Sequence, residues 1–456
     1  MRTPNSYSNI RPKFPPHPSF FRLFILSLCL CSYAYSSSTD HFIGVKQVDG
    51  IWWMTKGADE QFVTLGINHV EPQMIIGPHN IHHTVEMYGA DIVYWHEQFN
   101  AQGSGAKKWL AEVKSNFTKW GFDAFAYHTA VPYKLIDDFH YIALIRSYSV
   151  EFYCPTQVFP DVFSDEFKKQ VDESTRAIAT ELADCPNLLG YAYSDMPAWR
   201  VNAKDLSNPW VDHHTSLSAD SPGKRQWVEL LKRNYETASD AAAAYGFAAE
   251  DWNTIAANVD WKNIQARDSV LKDKNAFLLQ IVDLWCKVHH DAVRRYDPHH
   301  LILGDKVGSG IHPDAWEIIG RYSDMMNIQW YAFFDEQKDL LAKIYQTTGK
   351  PILMGDSSFS VVKPYQTKAK GVKVESQDAV GDAYYEYLES IMALPYVIGW
   401  HYCGYIEGHV GMNRRDCCED RQSGFLDPWG NPFKYTLERV TEANRKAKNW
   451  HQNANH

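Results

Sequence analysis

Short apolar segments alternate with amphipathic segments along the chain from residue 61 onward. The apolar segments are hydrophobic at consecutive positions, which is typical of strands buried on both faces of a parallel sheet. Polar or aromatic residues follow each of them. The pattern predicts eight strands, at residues 62–67, 122–127, 149–153, 188–193, 301–304, 326–330, 352–355 and 396–401.

The amphipathic segments have apolar residues three and four positions apart, the spacing that places side chains on one face of a helix. Strand and helix units in series predict an α/β fold, and eight such units favour a closed (β/α)8 TIM barrel. A doubly wound open sheet is the alternative, although no glycine-rich phosphate-binding loop follows the first strand. Helices are predicted near residues 106–119, 164–183, 270–296, 312–320, 334–348, 376–394 and 433–448.

Two connections are too long to be ordinary loops between a strand and a helix. Residues 69–104 follow the first predicted strand and residues 196–268 follow the fourth, and both segments are rich in tryptophan and histidine. Loops that follow barrel strands lie on the face where barrel proteins build their sites. We therefore expect both insertions to form walls of a site, although their aromatic rings could instead pack a subdomain.

The N-terminal segment differs from the rest of the chain. Residues 1–22 are basic and contain no acid, residues 23–31 are apolar, and small residues occur at 34 and 36. This arrangement predicts a signal peptide over residues 1–36, because the apolar run is too short for an ordinary membrane helix. Residues 37–456 are then expected to form a single barrel domain, secreted into the medium. A periplasmic location, or a membrane tether through an uncleaved N-terminus, is the alternative.

Composition narrows the class of partner. The formal net charge of the 456 residues is −10, and it becomes more negative when the basic leader is removed. A nucleic-acid partner is therefore not expected. No segment after the leader has the apolar length of a membrane helix. Aromatic residues make up 14% of the chain, more than a core needs, so many rings are expected to line a binding surface. The sequence leaves the oligomeric state open.

Neither a metal nor an organic cofactor is expected. The strand ends carry no Ser–His–acid set on a nucleophile elbow and no His-Glu-x-x-His motif. Cys417, Cys418 and His409 lack a recognisable metal-ligand spacing, whereas a disulfide from Cys403 to Cys417 or Cys418 is an open alternative.

The ends of the predicted strands carry acids surrounded by histidines and aromatic residues. Flat rings stack on the apolar faces of sugars, and carboxylates and imidazoles bond to sugar hydroxyls. The pattern therefore predicts a carbohydrate cleft. The residues expected to bind substrate are Asn68, His69, His128, Ser194, Trp199, Asp305, Trp330, Tyr331, His401 and Tyr402.

Two acids end strands that face each other across the predicted barrel. Asp195 closes the fourth strand and Asp356 closes the seventh. Glycoside hydrolysis needs one acid to protonate the leaving oxygen and a second carboxylate to attack the sugar or to activate water. We therefore predict that this pair is catalytic, although each acid alone could cap a helix or pair with a cation. Asp305 is a third candidate, and its neighbour Lys306 predicts an ion pair instead.

Several short motifs resemble those of retaining barrel glycosidases. They are Pro-Asp-Val-Phe-Ser-Asp at 160–165, Gly-Trp-His-Tyr at 399–402 and Gly-Phe-Leu-Asp at 424–427, together with the ends of strands four and seven. The chain looks most like glycoside hydrolase family 50, the β-agarases, and more distantly like the family 42 β-galactosidases. The resemblance covers roughly residues 120–448.

The resemblance implies an enzyme that hydrolyses a galactan-type marine polysaccharide or oligosaccharide. It implies the acid/base role for Asp195 and the nucleophile role for Asp356. The chain departs from the family pattern, because that group normally has Asn-Glu where this chain has Ser194-Asp195, and Glu at the position of Asp356.

Each Glu-to-Asp difference withdraws a carboxylate by about 1.5 Å. The two shorter side chains predict a gap of about 8 Å between the carboxyl groups. This gap leaves room for a water molecule and suits inversion rather than retention. An inward shift of strand seven would preserve retention instead. A catalytically inactive carbohydrate-binding barrel that has lost the two glutamates is the main alternative function, and a lyase or transglycosidase on the same scaffold is a further one.

Overall fold

The computed structural model describes residues 41–57, 60–151, 156–261, 264–411 and 422–454. The predicted signal peptide over 1–36, Tyr153, Cys417 and Cys418 lie outside the described residues. Within the described ranges, Cys185, Cys286 and Cys403 are free thiols. No helix in these ranges combines the length and the apolar character needed to cross a membrane.

A small antiparallel sheet begins the described chain, and the sequence pattern did not predict it. Strands β1 (Ile43–Val48), β2 (Ile51–Lys56) and β3 (Glu60–Phe62) pair in that order. Asp49 and Gly50 join β1 to β2, and both have positive φ angles, 50° and 84°. Asp-Gly is favoured in two-residue hairpin turns because both central residues of such a turn need a positive φ. This dipeptide was the available sequence signal for the sheet.

The remaining elements follow in order along the chain. They are β4 (Thr64–Asn68), α1 (Ile81–Tyr88), α2 (Trp95–Gln98), α3 (Gly105–Trp120), β5 (Ala124–Phe125), β6 (His140–Leu144), α4 (Asp165–Leu182), β7 (Leu188–Asp195), α5 (Pro209–Ser216), α6 (Pro222–Asn234), α7 (Ala238–Ala244), α8 (Trp252–Ala257), α9 (Arg267–Tyr296), β8 (Ile302–Gly308), α10 (Pro313–Tyr322), β9 (Met326–Gln329), α11 (Phe334–Thr348), β10 (Ile352–Ser357), β11 (Phe359–Ser360), β12 (Val372–Lys373), α12 (Gln377–Met392), β13 (Val397–Cys403) and α13 (Lys434–Gln452).

Eight parallel strands close into a barrel, in the order β4-β5-β6-β7-β8-β9-β10-β13. The predicted (β/α)8 barrel is therefore confirmed. Strands β11 and β12 form a separate two-stranded sheet in the long connection that follows β10.

The third barrel strand is β6, so the strand predicted at 149–153 is wrong. Residues 149–151 follow β6 as irregular chain. The connection from β5 to β6 holds a short 3₁₀ turn, Tyr133–Leu135. Two short apolar runs follow one another here, and periodicity alone cannot decide which of them pairs with the neighbouring strands.

Serine caps and glycine ends explain why several predicted helices begin and end where they do. The Ser104, Ser164 and Ser376 side chains accept hydrogen bonds from backbone N–H groups in the first turns of α3, α4 and α12. Gly121 and Gly349 end α3 and α11 in the left-handed conformation.

The N-terminal sheet closes one end of the barrel. Ile43 and Met54 are buried together with residues of the barrel strands, among them Leu189, Leu303 and Leu353. The contacts of this sheet lie where barrel strands begin, as in the hydrogen bond from the Trp52 N–H to the Pro395 carbonyl, 2.7 Å long. The opposite end, where the strands finish, is left for polar side chains.

The insertion between β7 and α9 is a helical subdomain with its own aromatic core. Trp199, Trp210 and Trp227 are buried. Trp199 stacks on Trp210 with ring centroids 4.8 Å apart, and Trp227 meets Tyr245 and Trp261 edge to face. These rings pack the insertion against α9. They therefore pack a subdomain, which was the alternative to forming a wall of the site.

Candidate active site

Asp195 and Asp356 meet at the end of the barrel where the strands finish. They lie at the ends of β7 and β10, the fourth and seventh barrel strands, and are only 4% and 1% exposed. The Nζ atom of Lys306 lies 3.2 Å from Asp195 Oδ2 and 2.5 Å from Asp356 Oδ2. Because both oxygens contact one nitrogen, they lie within about 6 Å of each other. The predicted gap of about 8 Å is therefore wrong.

Lys306 is fixed from three directions. Its side chain is fully buried. Besides the two carboxylates, the Nζ atom faces the ring of Tyr127, 4.3 Å from the ring centroid. An ammonium group attracts both carboxylates, so it draws together two groups whose short side chains would otherwise stand further apart.

The predicted ion pair between Asp305 and Lys306 is wrong. Adjacent residues of a strand point to opposite faces, so Asp305 faces away from the barrel interior when Lys306 faces into it. Asp305 accepts hydrogen bonds from Ser194 Oγ at 2.7 Å, Trp199 Nε1 at 3.2 Å and Trp285 Nε1 at 3.1 Å. Ser194, Trp199 and Asp305 thus form a buried cluster against α9, apart from the two paired acids.

Hydrogen bonds and cations hold Asp356 in its ionised form. The Tyr331 hydroxyl donates to Asp356 Oδ1 at 2.6 Å. Burial by itself raises the pKa of Asp356, but the charges of Lys306 and Lys370 and the hydrogen bonds from Lys306 and Tyr331 outweigh it. The pKa of this carboxyl is therefore well below its usual range, as a nucleophile requires.

His128 forms the second contact of Asp195. Its Nε2 atom lies 2.9 Å from Asp195 Oδ2, and Arg146 Nη2 lies 3.0 Å from its Nδ1. Burial lowers the pKa of His128 to about 4, although Asp195 acts in the opposite direction. A neutral ring then donates from Nε2 to Asp195 and accepts from Arg146 at Nδ1.

The pKa of Asp195 is also lowered. Burial raises it, whereas Lys306 and the hydrogen bond from His128 lower it by more. Asp195 is therefore ionised at neutral pH in this state. His69 stacks on His128 with centroids 4.6 Å apart, and burial first, then His128, lowers the pKa of His69.

Two predicted substrate residues serve the barrel itself. Asn68 donates to the Gly355 carbonyl at 2.9 Å and accepts from the Tyr127 N–H at 2.8 Å, so it links β4 to β10 and to the chain that follows β5. His401 faces inward beside Thr64, with Nε2 3.2 Å from the threonine hydroxyl. Thr64 begins β4, which places His401 deeper in the barrel than the paired acids.

The last two predicted residues place their rings in the apolar packing around the barrel. The Trp330 N–H donates to the Asp356 carbonyl at 3.2 Å, and this tryptophan is half-buried. Tyr402 points outward, because its hydroxyl donates to the Phe359 carbonyl at 2.9 Å and its ring stacks on Phe425.

Sequence reasoning missed two cations of the site. Sequence adjacency pairs Lys306 with Asp305, and Lys370 is not among the residues predicted for the site. Lys370 lies in the connection after β10, donates to Cys403 Sγ at 3.3 Å, and its charge acts on both paired acids. The side-chain alternation of β8 was a signal for Lys306, because it places residue 306 on the opposite face from 305. Nothing local marks Lys370.

No family model matches the chain. Among curated proteins, β-agarase B of Vibrio sp. (strain JT0107) is 24% identical over 290 residues, which are 62% of this chain and 30% of that protein. β-Agarase A of the same organism is 22% identical over 231 residues, which are 49% of this chain and 23% of that protein. The chain thus spans less than a third of the length of these curated relatives.

Two solved structures share the fold over most of the chain. An exo-β-agarase superposes with a TM-score of 0.74 at 16% identity, over 91% of this chain and 66% of the other. An agarase superposes with a TM-score of 0.71 at 17% identity, over 90% of this chain and 65% of the other. The resemblance to the β-agarases of glycoside hydrolase family 50 that the sequence motifs indicated is therefore confirmed.

Proposed function

We propose that this chain is a glycoside hydrolase that cleaves an agarose-type galactan, as a polysaccharide or an oligosaccharide. The observation that carries the proposal is the pair of Asp195 and Asp356 at one end of the barrel, with their Oδ2 atoms within about 6 Å. Two carboxyl groups at this spacing are what glycoside hydrolysis needs. The curated relatives named β-agarases support the class of substrate.

The spacing favours retention of configuration over the inversion expected from the sequence. Retaining enzymes hold their carboxyl groups about 5–5.5 Å apart, whereas inverting enzymes need about 6.5–9.5 Å. Asp195 first takes up a proton from solvent. Asp356 then attacks the anomeric carbon while the bond to the leaving oxygen breaks, and Asp195 gives its proton to that oxygen. Water then attacks the same carbon, Asp195 takes a proton from the water, and the bond to Asp356 breaks.

The surrounding side chains suit a sugar in the same place. Tyr331 holds the attacking carboxylate through its hydroxyl. His69 stacks on His128 next to Asp195, and the ring nitrogens of His69 can bond to sugar hydroxyls.

Hydrolysis of neutral agarose oligosaccharides tests the proposal. We expect the wild-type protein to release reducing ends, with proton NMR detecting the retained anomer first. Asp195→Asn and Asp356→Asn should each lower turnover by at least about 10³-fold, because each removes a group that takes part in bond making. Asp335→Asn, at an exposed position of α11, is the control and should have wild-type activity. Wild-type turnover in either site variant would reject the assignment.

A binding protein without catalysis is the second candidate, and one observation favours it. Lys306 contacts both carboxylates, and the pKa of each is lowered, so neither is protonated at neutral pH. Calorimetric binding of agarose oligosaccharides without any release of reducing ends would support this candidate over the hydrolase.

Secretion is part of the proposal and rests on the basic and apolar leader over residues 1–36. Expression of the full chain in a bacterial host with a secretion pathway tests it. We expect the protein outside the cytoplasm, with a new N-terminus close to residue 37 by Edman sequencing. A cytoplasmic protein that retains the leader would contradict the expectation.

A further inference from the structure

Lys306 differs from the other buried lysines in the described part of the chain. The Lys224 ammonium donates to the Thr215 and Asn258 carbonyls, and Lys274 donates to the Leu206 carbonyl and to Asp212. Those lysines hold backbone segments of the insertion together. Lys306 instead contacts two carboxylates, from β7 and β10, and the ring of Tyr127. Its contacts are directed at the paired acids.

The two contacts of Lys306 are unequal. Its nitrogen lies 2.5 Å from Asp356 and 3.2 Å from Asp195. The shorter contact is the stronger one, because the attraction between opposite charges increases as they approach. Asp195 is therefore the weaker partner of the ammonium, and the acid that it releases more readily.

We propose that Lys306 is a positioning residue, which fixes the separation and the charge of Asp195 and Asp356. Two buried carboxylates this close repel each other, which favours a proton on one of them, and Lys306 is the cation in direct contact with both. Lys306 cancels that repulsion in the resting protein and keeps Asp356 ready to attack. Its release from Asp195 lets that acid take up a proton. The catalytic consequence rests on the proposed hydrolase function, whereas the effect on charge does not.

Titration of the aspartate carboxyl carbons by ¹³C NMR tests the proposal directly. In the wild-type protein, we expect Asp195 and Asp356 to titrate below the range of exposed aspartates. In Lys306→Met, the Asp195 midpoint should rise, because burial and the charge of Asp356 are then opposed only by the hydrogen bond from His128 and the more distant charge of Lys370. Lys306→Arg keeps the charge and should restore the low midpoint. Lys338→Met removes an exposed lysine from a different ion pair and should leave both midpoints unchanged.

A second pair of variants covers the case in which Lys306→Met does not fold. Removing one partner of a buried charge group leaves the others uncompensated, at a cost that can unfold a domain. Asp356→Asn with Lys306→Met removes one negative and one positive charge together. Asp195 should titrate higher in this double variant than in Asp356→Asn alone. Equal midpoints in the two proteins would overturn the proposal.

The pH dependence of turnover separates this proposal from the hydrolase function. Where the wild-type protein hydrolyses oligosaccharide, kcat should rise as the pH falls, and in Lys306→Met the same rise should begin at a higher pH. A wild-type protein without hydrolysis contradicts the proposed function and leaves the titration result standing. If the protein hydrolyses oligosaccharide but the Asp195 and Asp356 midpoints are the same with and without Lys306, only the positioning role is contradicted.

Discussion

At the scale of single residues, the direction in which a buried carboxyl faces decides its charge. Asp305 and Asp356 are both 1% exposed and both lie near the ends of barrel strands. Burial raises the pKa of Asp305 to about 6, since its hydrogen bonds from neutral donors only partly offset the loss of water. Asp356 faces Lys306 instead, and its pKa falls. A cation within hydrogen-bond distance thus outweighs burial, whereas indole and hydroxyl donors do not.

The raised pKa of Asp305 predicts a pH-dependent stability. The folded protein keeps the Asp305 proton up to about pH 6, whereas the unfolded chain loses it near 3.8. The free energy of unfolding relative to Asp305→Asn should therefore fall by about 3 kcal/mol as the pH rises through this window. Urea denaturation at several pH values measures the difference. Parallel stability curves for the two proteins would show that Asp305 titrates normally.

At the scale of elements, glycines in the barrel strands leave room for side chains of other strands. A Cβ atom at Gly66 of β4 would lie 2.6 Å from the His401 ring of β13. A Cβ atom at Gly355 of β10 would overlap the Asn327 side chain of β9. Gly355 directly precedes Asp356, so the packing of β10 on β9 also places the acid.

Gly355→Ala should disturb the site through the backbone. The buried Asn327 side chain or strand β10 has to move, which we expect to cost about 1–3 kcal/mol and to lower turnover by at least about tenfold. Thermal unfolding and oligosaccharide hydrolysis measure the two effects. Asn327→Ala in the same chain removes the overlapping atom and should recover part of both. Gly310→Ala is the control, since nothing lies within 4 Å of its added carbon.

At the scale of the whole molecule, the two ends of the barrel have different roles. The N-terminal sheet covers the end where the strands begin, with Ile43 and Met54 buried among the interior residues. The charged pair and Lys306 lie at the other end. This division is general for such barrels, in which residues at the first end contribute stability and those at the second carry the site.

Met54→Ala should therefore lower stability without changing the site. Shortening a buried methionine costs about 2–5 kcal/mol through lost burial and the cavity that remains. Thermal unfolding should show the loss, while calorimetry should give wild-type affinity for an oligosaccharide. Lys46→Ala, at an exposed position of β1, should change neither quantity. A clear loss of affinity in Met54→Ala would mean that the two ends are coupled.

The local pattern of the sequence determined most of the elements and the two acids at the strand ends. Helix periodicity and serine caps act over a few residues, so α3, α4, α9, α10, α11, α12 and α13 could all be predicted. The third barrel strand could not, because β6 and residues 149–153 are both short runs with several apolar residues. The choice between them depends on pairing with β5 and β7, which are distant in sequence.

The tertiary structure alone decided which charges meet. The sequence placed Asp195 and Asp356 at the same end of a barrel, because the carboxyl ends of parallel strands share one face. Adjacency in the sequence suggested that Lys306 pairs with Asp305, although adjacent strand residues point to opposite faces. Barrel closure turns Lys306 inward to both acids and Asp305 outward to two indoles. Electrostatic interactions depend on distance through space, and only the closed barrel sets those distances.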